Sequence, residues 1–479
     1  MILKGYLFSV LYALACLGLA FGIYKLGAPK KITRKIVHIL VGFEWLILYV
    51  FMGPGVHFLA VCLIFTAVLA VSYRKSLMPM ISSDGDNAPG TVYYAIAMSI
   101  MAVIMLFEPS MIHPFGIGVF CTSFGDGLAG LVGQSLSPEH NPKIYGNKSL
   151  AGTLTNFAVC FAVALFFSHY FEMGLNLWHC LAIAVFGTQL ELFIGRGLDN
   201  ILITLGTSLL SYSLINFEST LNYIVTILLT PAIIAFAYKK KALTVGGILS
   251  ALLLDIAVSV SLGNFGFVIL FAFFALGIVS DKIKKRYKNS RQKTTKPSEC
   301  RNSIQVLSNG FACAACALAY LFTSNHAFLI GFVASLAEAL ADTMASGIGV
   351  ISGKAFDPFR MKPCKPGISG GMSLLGTTFS LIGASIIALL ALAFGRISSA
   401  DMIIVIFAGF LGGIFDSFLG SLVQVKYRCN LCGEITEKRT HCDTPTTRSS
   451  GLRLVNNDTV NFLSTVFAAA ISILGYTLF

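Results

Sequence analysis

The chain has 479 residues, of which 56% are hydrophobic and 12% charged, with a mean hydropathy of +0.80 and a net charge of +12. Soluble domains carry about 25% charged residues, so this composition excludes one and points to a protein with many membrane spans. The basic excess does not point to nucleic acid, because the Lys and Arg clusters alternate with apolar runs and carry no interleaved aromatics.

Apolar runs of about 17–25 residues are long enough to cross a bilayer as helices. About sixteen candidate spans begin near residues 5, 36, 56, 89, 113, 149, 178, 199, 219, 242, 266, 302, 328, 370, 400 and 457, which predicts an all-α, polytopic integral membrane protein. The first run is followed by many others without an evident cleavage site, so it is expected to persist as a span. With the N-terminus outside, all but Lys4 and Arg396 of the 34 Lys and Arg fall in cytoplasmic loops. That asymmetry is what the positive-inside rule demands. The default setting is a prokaryotic cytoplasmic membrane with sites facing the cytoplasm.

A set of polar motifs occurs twice, in one order. The first set is Arg34-Lys35-Ile36-Val37-His38, Gly125-Asp126, Lys148-Ser149-Leu150-Ala151-Gly152-Thr153, Glu191 and Asp199-Asn200. The second is Arg301-Asn302-Ser303-Ile304-Gln305, Ala341-Asp342, Ser373-Leu374-Leu375-Gly376-Thr377, Asp416 and Asn456-Asn457-Asp458. The spacing from Ser149 to Glu191 is matched to within one residue by that from Ser373 to Asp416. Two halves are expected, 1–238 and 239–479, with the boundary near Lys239-Lys240-Lys241. Both sets run through the membrane in the same direction, so the repeat is parallel, whereas many transporters use inverted repeats with midplane sites. A basic stretch from Asp281 to Arg301 is expected to be a cytoplasmic loop that touches lipid headgroups.

Asp126 lies among small residues in an apolar segment, and an unpaired carboxylate there costs on the order of a few kcal/mol, so such acids usually face a partner or an ion. Glu191 lies in another apolar span and Asp199-Asn200 opens the next. Acids from separate helices meeting at one face are the usual way to hold Mg²⁺. Lys148 precedes a helix whose first turn holds Ser149 and Thr153, and a helix N-terminus beside an ammonium suits a phosphate.

In order and content these motifs resemble two families. Residues 30–215 resemble the dolichol kinases and phytol kinases, membrane enzymes that phosphorylate long isoprenoid alcohols with CTP. The resemblance rests on Arg34-Lys35-x-x-His38, Gly90-Thr91-x-Tyr93-Tyr94, Gly125-Asp126-x-x-Ala129, Lys148-Ser149-Leu150-x-Gly152-Thr153 and Leu198-Asp199-Asn200. Residues 240–479 resemble the phytyl-phosphate kinase (DUF92) family, which adds a second phosphate to the product of the first. There the residues are Arg301-Asn302-x-x-Gln305-Val306-Leu307-x-Asn309-Gly310, Ala341-Asp342-Thr343-x-Ala345-Ser346, Ser369-Gly370-Gly371-x-Ser373-x-x-Gly376-Thr377 and Asn457-Asp458-x-x-Asn461. The second half departs from its family at Gly347, where an acid is usual, and at Gly367-Ile368-Ser369, where Gly-Thr-Asn is usual. Glu338, one turn before Asp342, is the candidate for the missing carboxylate.

The resemblance implies a bifunctional enzyme that converts a long-chain prenol to its monophosphate and then its diphosphate, with CTP as donor. Phosphoryl transfer asks mainly for positioning and charge neutralisation. Asp126 and Glu191 in the first site, and Asp342, Asp416 and Asp458 in the second, are expected to hold Mg²⁺, with Asp199 and Asn200 beside them. Arg34, Lys35, Lys148, Arg301, Lys362 and Lys365 are expected on phosphates. Ser149, Gln305, Ser373, Asn457 and Asn461 are expected to position the nucleotide or lipid phosphate. His38 aligns with Gln305: an alcohol must lose a proton, a task for His, whereas a prenyl phosphate is already ionised and needs only positioning. Competing readings are a lipid cytidylyltransferase, which would release pyrophosphate, and a non-catalytic transporter or lipid-binding protein.

Most of the twelve cysteines are expected to be small packing residues. Cys429-x-x-Cys432 followed by His441-Cys442 differs, because four N and S ligands in a loop at 425–455 could close a tetrahedral Zn²⁺ site.

Overall fold

The computed structural model describes every residue except 78–89, 137–140, 196, 218–219, 224–228, 231–242, 292–300, 365 and 479. The chain divides into two compact units, Met1–Ala235 and Phe236–Phe479. The expected boundary at residues 239–241 lies outside the described residues.

The first unit runs α1 (Ile2–Lys25), α2 (Lys30–Val41), α3 (Glu44–Phe51), α4 (Val56–Lys75), α5 (Gly90–Phe107), α6 (Ile112–Phe120), a π-helical segment (Cys121–Asp126), α7 (Gly127–Ser135), a hairpin of β1 (Lys143–Tyr145) and β2 (Lys148–Ser149), α8 (Leu150–Tyr170), α9 (Leu177–Phe193) and α10 (Asp199–Phe217). On α1, Leu7, Phe8, Val10, Leu11 and Leu14 all face outward. A helix apolar all round is stable only where its outer face meets lipid. Trp45, Phe115 and Phe58 fill the interior, with Trp45 stacked on Tyr49.

The second unit runs α11 (Val245–Arg291), α12 (Ser303–Thr323), α13 (His326–Ile348), a hairpin of β3 (Ala355–Asp357) and β4 (Lys362–Cys364), α14 (Leu374–Ala393), α15 (Ser399–Leu422), a four-stranded sheet, and α16 (Asn457–Leu478). The sheet has β5 (Lys426–Cys429), β6 (Ile435–Thr436), β7 (Thr440–His441) and β8 (Thr444–Ser450) in the order β6-β5-β8-β7. α13 is the central helix and packs on α11, α12, α14, α15 and α16. Its small residues permit this: a Cβ at Gly383 of α14 would lie 3.0 Å from the Leu340 carbonyl oxygen.

Each unit thus presents the same series: a helix with the Arg motif, a helix with the Asp, an antiparallel hairpin, a Ser-capped helix, a helix with an acid, and a helix opening on Asp or Asn. Among the described residues eleven helices are long and apolar enough to cross a membrane, not sixteen. The run near residue 36 breaks at Gly42-Phe43 into α2 and α3, because its first half is amphipathic and basic. The runs near 242 and 266 are both helical, as two arms of α11 on either side of Gly263, whose φ of 62° and ψ of −148° break the helix. The run near 219 lies largely outside the described residues. The basic stretch from Asp281, expected as a loop, begins as the last turns of α11, since Lys and Arg are good helix formers.

Candidate active sites

In the first unit a cavity of about 1080 Å³ is lined by all the expected residues: Arg34, Lys35, His38, Asp126, Lys148, Ser149, Glu191, Asp199 and Asn200. Asp126 ends the π-helical segment, a geometry often found at functional sites. The Thr122 hydroxyl in that segment is 2.7 Å from that of Thr204 and ties it to α10. Lys35 crosses from α2 and donates to Asp126 Oδ2 at 2.6 Å and to the Asp126 carbonyl at 3.0 Å. Two glycines make that approach possible. A Cβ at Gly130 would lie 2.5 Å from Lys35 Cε, and one at Gly127 would lie 2.4 Å from Ile39 Cγ1.

His38 Nε2 is 3.2 Å from the Thr122 carbonyl oxygen and 3.7 Å from Asp126 Oδ2. A carbonyl only accepts, so this contact assigns the proton to Nε2 and leaves the lone pair on Nδ1. Lys148, on β2, pairs with Glu191 and lies 3.6 Å from Asp199 Oδ2. Burial alone would lower the Lys148 pKa, but Asp199, Glu191 and Asp126 outweigh it and hold the ammonium well above its usual range. The lysine expected on a phosphate is therefore committed to carboxylates. Ser149 caps α8 by accepting from the Gly152 amide at 3.3 Å. Asn200 donates to the Gly90 carbonyl at 2.8 Å, anchoring the start of α10 to α5. Glu191 Oε2 and Asn200 Oδ1 are buried acceptors with no hydrogen-bond partner. Such orphaned oxygens suit a hard cation or a donor from a bound substrate.

The second unit has a cavity of about 610 Å³ lined by Arg301, Gln305, Asp342, Ser373, Asp416, Asn457, Asp458 and Asn461. Lys362 is on β4 and does not line it, and Lys365 lies outside the described residues. Ser373 caps α14 by accepting from the Gly376 amide at 3.1 Å, as Ser149 caps α8. Asn302 and Gln305 form a reciprocal capping box at the start of α12. The Gln305 carbonyl oxygen is thereby used, which leaves its amide hydrogens as donors. Arg301 pairs with Asp281 at 2.8 Å. Asn461 reaches Asn309 at 3.4 Å, joining α16 to α12.

The two sites differ in charge. In motif register Lys35 corresponds to Asn302, and Lys148 to Met372. Among the described residues neither Asp342 nor Asp416 has an ion-pair partner; Asp416 accepts only a long bond of 3.5 Å from Ser464. Glu338 is 1% exposed, its Oε1 has no partner, and it interacts with both Asp342 and Asp416. Glu338 is not among the residues lining the cavity; it lies buried in the helix bundle beside the acids. The acid usual at position 347 has no room here, because a Cβ at Gly347 would lie 2.0 Å from Ser280 Oγ.

Sequence reasoning missed Asp281, Lys284 and Glu437, which also line the second cavity. The first two sit in the stretch read as a loop. Glu437 lies between Cys432 and His441, a spacing that signalled only metal ligation.

The sequence profile of the family described as Integral membrane protein DUF92 matches residues 228–469. The chain is 34% identical over 191 residues to the phytol kinase of Synechocystis sp., covering 39% of this chain and 80% of that protein. It is 25% identical over 262 residues to the uncharacterised membrane protein MJ0933 of Methanocaldococcus jannaschii, covering 54% and 96%. It is 25% identical over 240 residues to the chloroplastic protein VTE6 of Arabidopsis thaliana, covering 48% and 65%. No solved structure matches. Through a profile spanning half its length, and with a phytol kinase among its relatives, the chain belongs to the DUF92 family of integral membrane proteins.

Proposed function

We propose that this protein is a bifunctional isoprenoid kinase: the first unit phosphorylates a long-chain prenol and the second phosphorylates the resulting prenyl phosphate, with CTP as donor and the sites facing the cytoplasm. The single observation that carries this reading is the recurrence, in each unit, of a cavity built from the same series of elements, with acids from separate helices at its wall.

In the first site Nδ1 of His38 is the atom free to take the alcohol proton, while Asp126 holds the imidazole from the Nε2 side. Arg34 lines the same wall as a phosphate donor. Glu191 Oε2 and Asp199 are the oxygens that would hold Mg²⁺, which would neutralise charge on the nucleotide phosphates. In the second site the incoming lipid already carries about −1.5 to −2 charge. Gln305 amide hydrogens and Arg301 can orient that phosphate without a base. Asp342, Asp416 and Asp458 would hold Mg²⁺ there, with no lysine among the described residues in direct contact with Asp342 or Asp416 as Lys35 is with Asp126.

The test is a product assay on the full chain in detergent with Mg²⁺, γ-labelled nucleotides and phytol, farnesol, geranylgeraniol or dolichol. Labelled monophosphate followed by diphosphate, with CTP preferred, is expected. Pyrophosphate release with nucleotide retained on the lipid would replace this reading with a cytidylyltransferase. No turnover with any alcohol or lipid phosphate would leave a transport or binding role.

A further inference from the structure

The sheet between α15 and α16 brings four soft ligands to one point. Cys429, Cys432 and Cys442 Sγ and His441 Nδ1 all lie within 4.8 Å of one another. Cys432 Sγ is 3.9 Å from Cys442 Sγ, and His441 Nδ1 is 3.4 and 3.3 Å from those two sulfurs. Tetrahedral Zn²⁺, with bonds of about 2.3 Å to sulfur and about 2.0–2.1 Å to nitrogen, requires edges of about 3.8 and 3.6 Å. A sulfur separation of 3.9 Å is far from the roughly 2.05 Å of a disulfide. The backbone also bends for the cluster: Gly433 has φ of 70°, and the non-glycine residues Cys442 and Asp443 adopt φ of 51° and 56°.

The sheet has little else to fold on. Val425 and Tyr427 are its buried apolar residues, Leu431 and Ile435 are exposed, and strands of two to seven residues enclose only a small core. Metal binding is the usual substitute for a core in so small a module. Three thiolates and a neutral imidazole around Zn²⁺ leave a net charge of about −1, and Arg428, Lys438 and Arg439 stand in the same strands and turn to balance it.

The same sheet grips the wall of the second cavity. Glu437, between β6 and β7, accepts from the Ser369 amide at 3.2 Å and from the Ser369 hydroxyl. Lys426, on β5, donates to the Ser369 carbonyl at 2.9 Å. The next residue, Gly370, has φ of 86°, and a Cβ there would lie 2.5 Å from Ser421 Cα. Ser369 is therefore held on all three of its polar groups by the sheet, and it lines the cavity.

We propose that Cys429, Cys432, His441 and Cys442 hold a structural Zn²⁺, and that this ion fixes the sheet as a clamp on Ser369, so that the second cavity alone depends on zinc. The consequence for catalysis rests on the second cavity being the prenyl-phosphate site; the metal and the clamp do not.

The experiment uses the full chain purified in detergent, with elemental analysis and limited trypsin digestion read by mass spectrometry. One zinc per chain is expected, released by a mercurial thiol reagent. Release should open cleavage after the exposed Arg360 while the fragments of the first unit stay as in the untreated protein. Cys442→Ser should lose the zinc. Glu437→Gln should keep it yet open the same cleavage site. If Cys442→Ser does not fold, mercurial release from the wild type decides alone. Absence of zinc, or iron in its place, would overturn the metal assignment. Zinc release and Glu437→Gln that both leave Arg360 protected would overturn the clamp. Neither outcome depends on any lipid being phosphorylated, so failure of the kinase reading would be seen separately.

Discussion

Lys35 Nζ lies 2.6 Å from Asp126 Oδ2, and the second unit has Asn302 at the position that corresponds to Lys35. The first site thus holds an ammonium in direct contact with its Asp, whereas in the second Lys284 acts on Asp342 from the cavity wall without such a contact. This contrast separates the two steps experimentally.

Lys35→Met removes the ammonium and leaves Asp126 buried without its partner. The first step should fall by about 10²–10³-fold, the scale for losing one charge-stabilising group. Phosphorylation of a supplied prenyl phosphate should stay at the wild-type rate. A loss of both steps in the same proportion would mean that Lys35 serves folding of the whole chain.

Glu338→Gln should stabilise the metal-free protein. A carboxyl buried beside two other acids meets desolvation and like-charge repulsion whenever it ionises, and the amide removes both. The amide should raise Tm in the absence of divalent cations and shrink the upward shift that Mg²⁺ produces in the wild type. Thermal unfolding with and without Mg²⁺ measures both. A lower Tm without cation would show that Glu338 is held by a favourable interaction instead.

Gly347→Ala tests the departure from the family pattern. Its Cβ would meet Ser280 Oγ at 2.0 Å, so the substitution should cost about 1–3 kcal/mol, the usual scale of overpacking. Combining it with Ser280→Ala should recover most of that loss, because the clashing oxygen is gone. Denaturation of the single and double variants supplies the cycle.

His38→Gln copies the second site's residue into the first. The first step should fall by about 10²–10⁴-fold, the range for a general base, with KM for the alcohol little changed. The pH dependence of the residual rate should flatten, while the second step keeps the wild-type profile. An unchanged first step would assign the proton to another acceptor.

Much of the site was legible because the acids stand out against an apolar background: Asp126, Glu191, Asp199, Asp342 and Asp416 each sit where only a partner or an ion repays burial. Ser149 and Ser373 were legible as the polar residues before apolar helices, and both cap. The pairing of Lys148 with Glu191 was not, because it depends on a two-residue strand too short to leave a period in the sequence. The missing lysines at Asn302 and Met372 were present in the motif register but carried no signal until the structure showed Lys35 and Lys148 on carboxylates. The span count ran high where hydropathy cannot see a backbone break, at Gly42-Phe43, which leaves two helices too short to cross a membrane. The sheet at 426–450 escaped because its alternation is polar on both faces.

The most direct test of two steps at two sites is a crossed substrate assay on Asp126→Asn and Asp342→Asn in the full chain. Prenol and prenyl monophosphate are supplied separately with labelled CTP. Asp126→Asn should lose phosphorylation of the alcohol and still convert the monophosphate, and Asp342→Asn should convert the alcohol and stop at the monophosphate. Loss of both reactions in either variant, with the fold intact by thermal unfolding, would contradict the division of labour and place both phosphorylations at a single site.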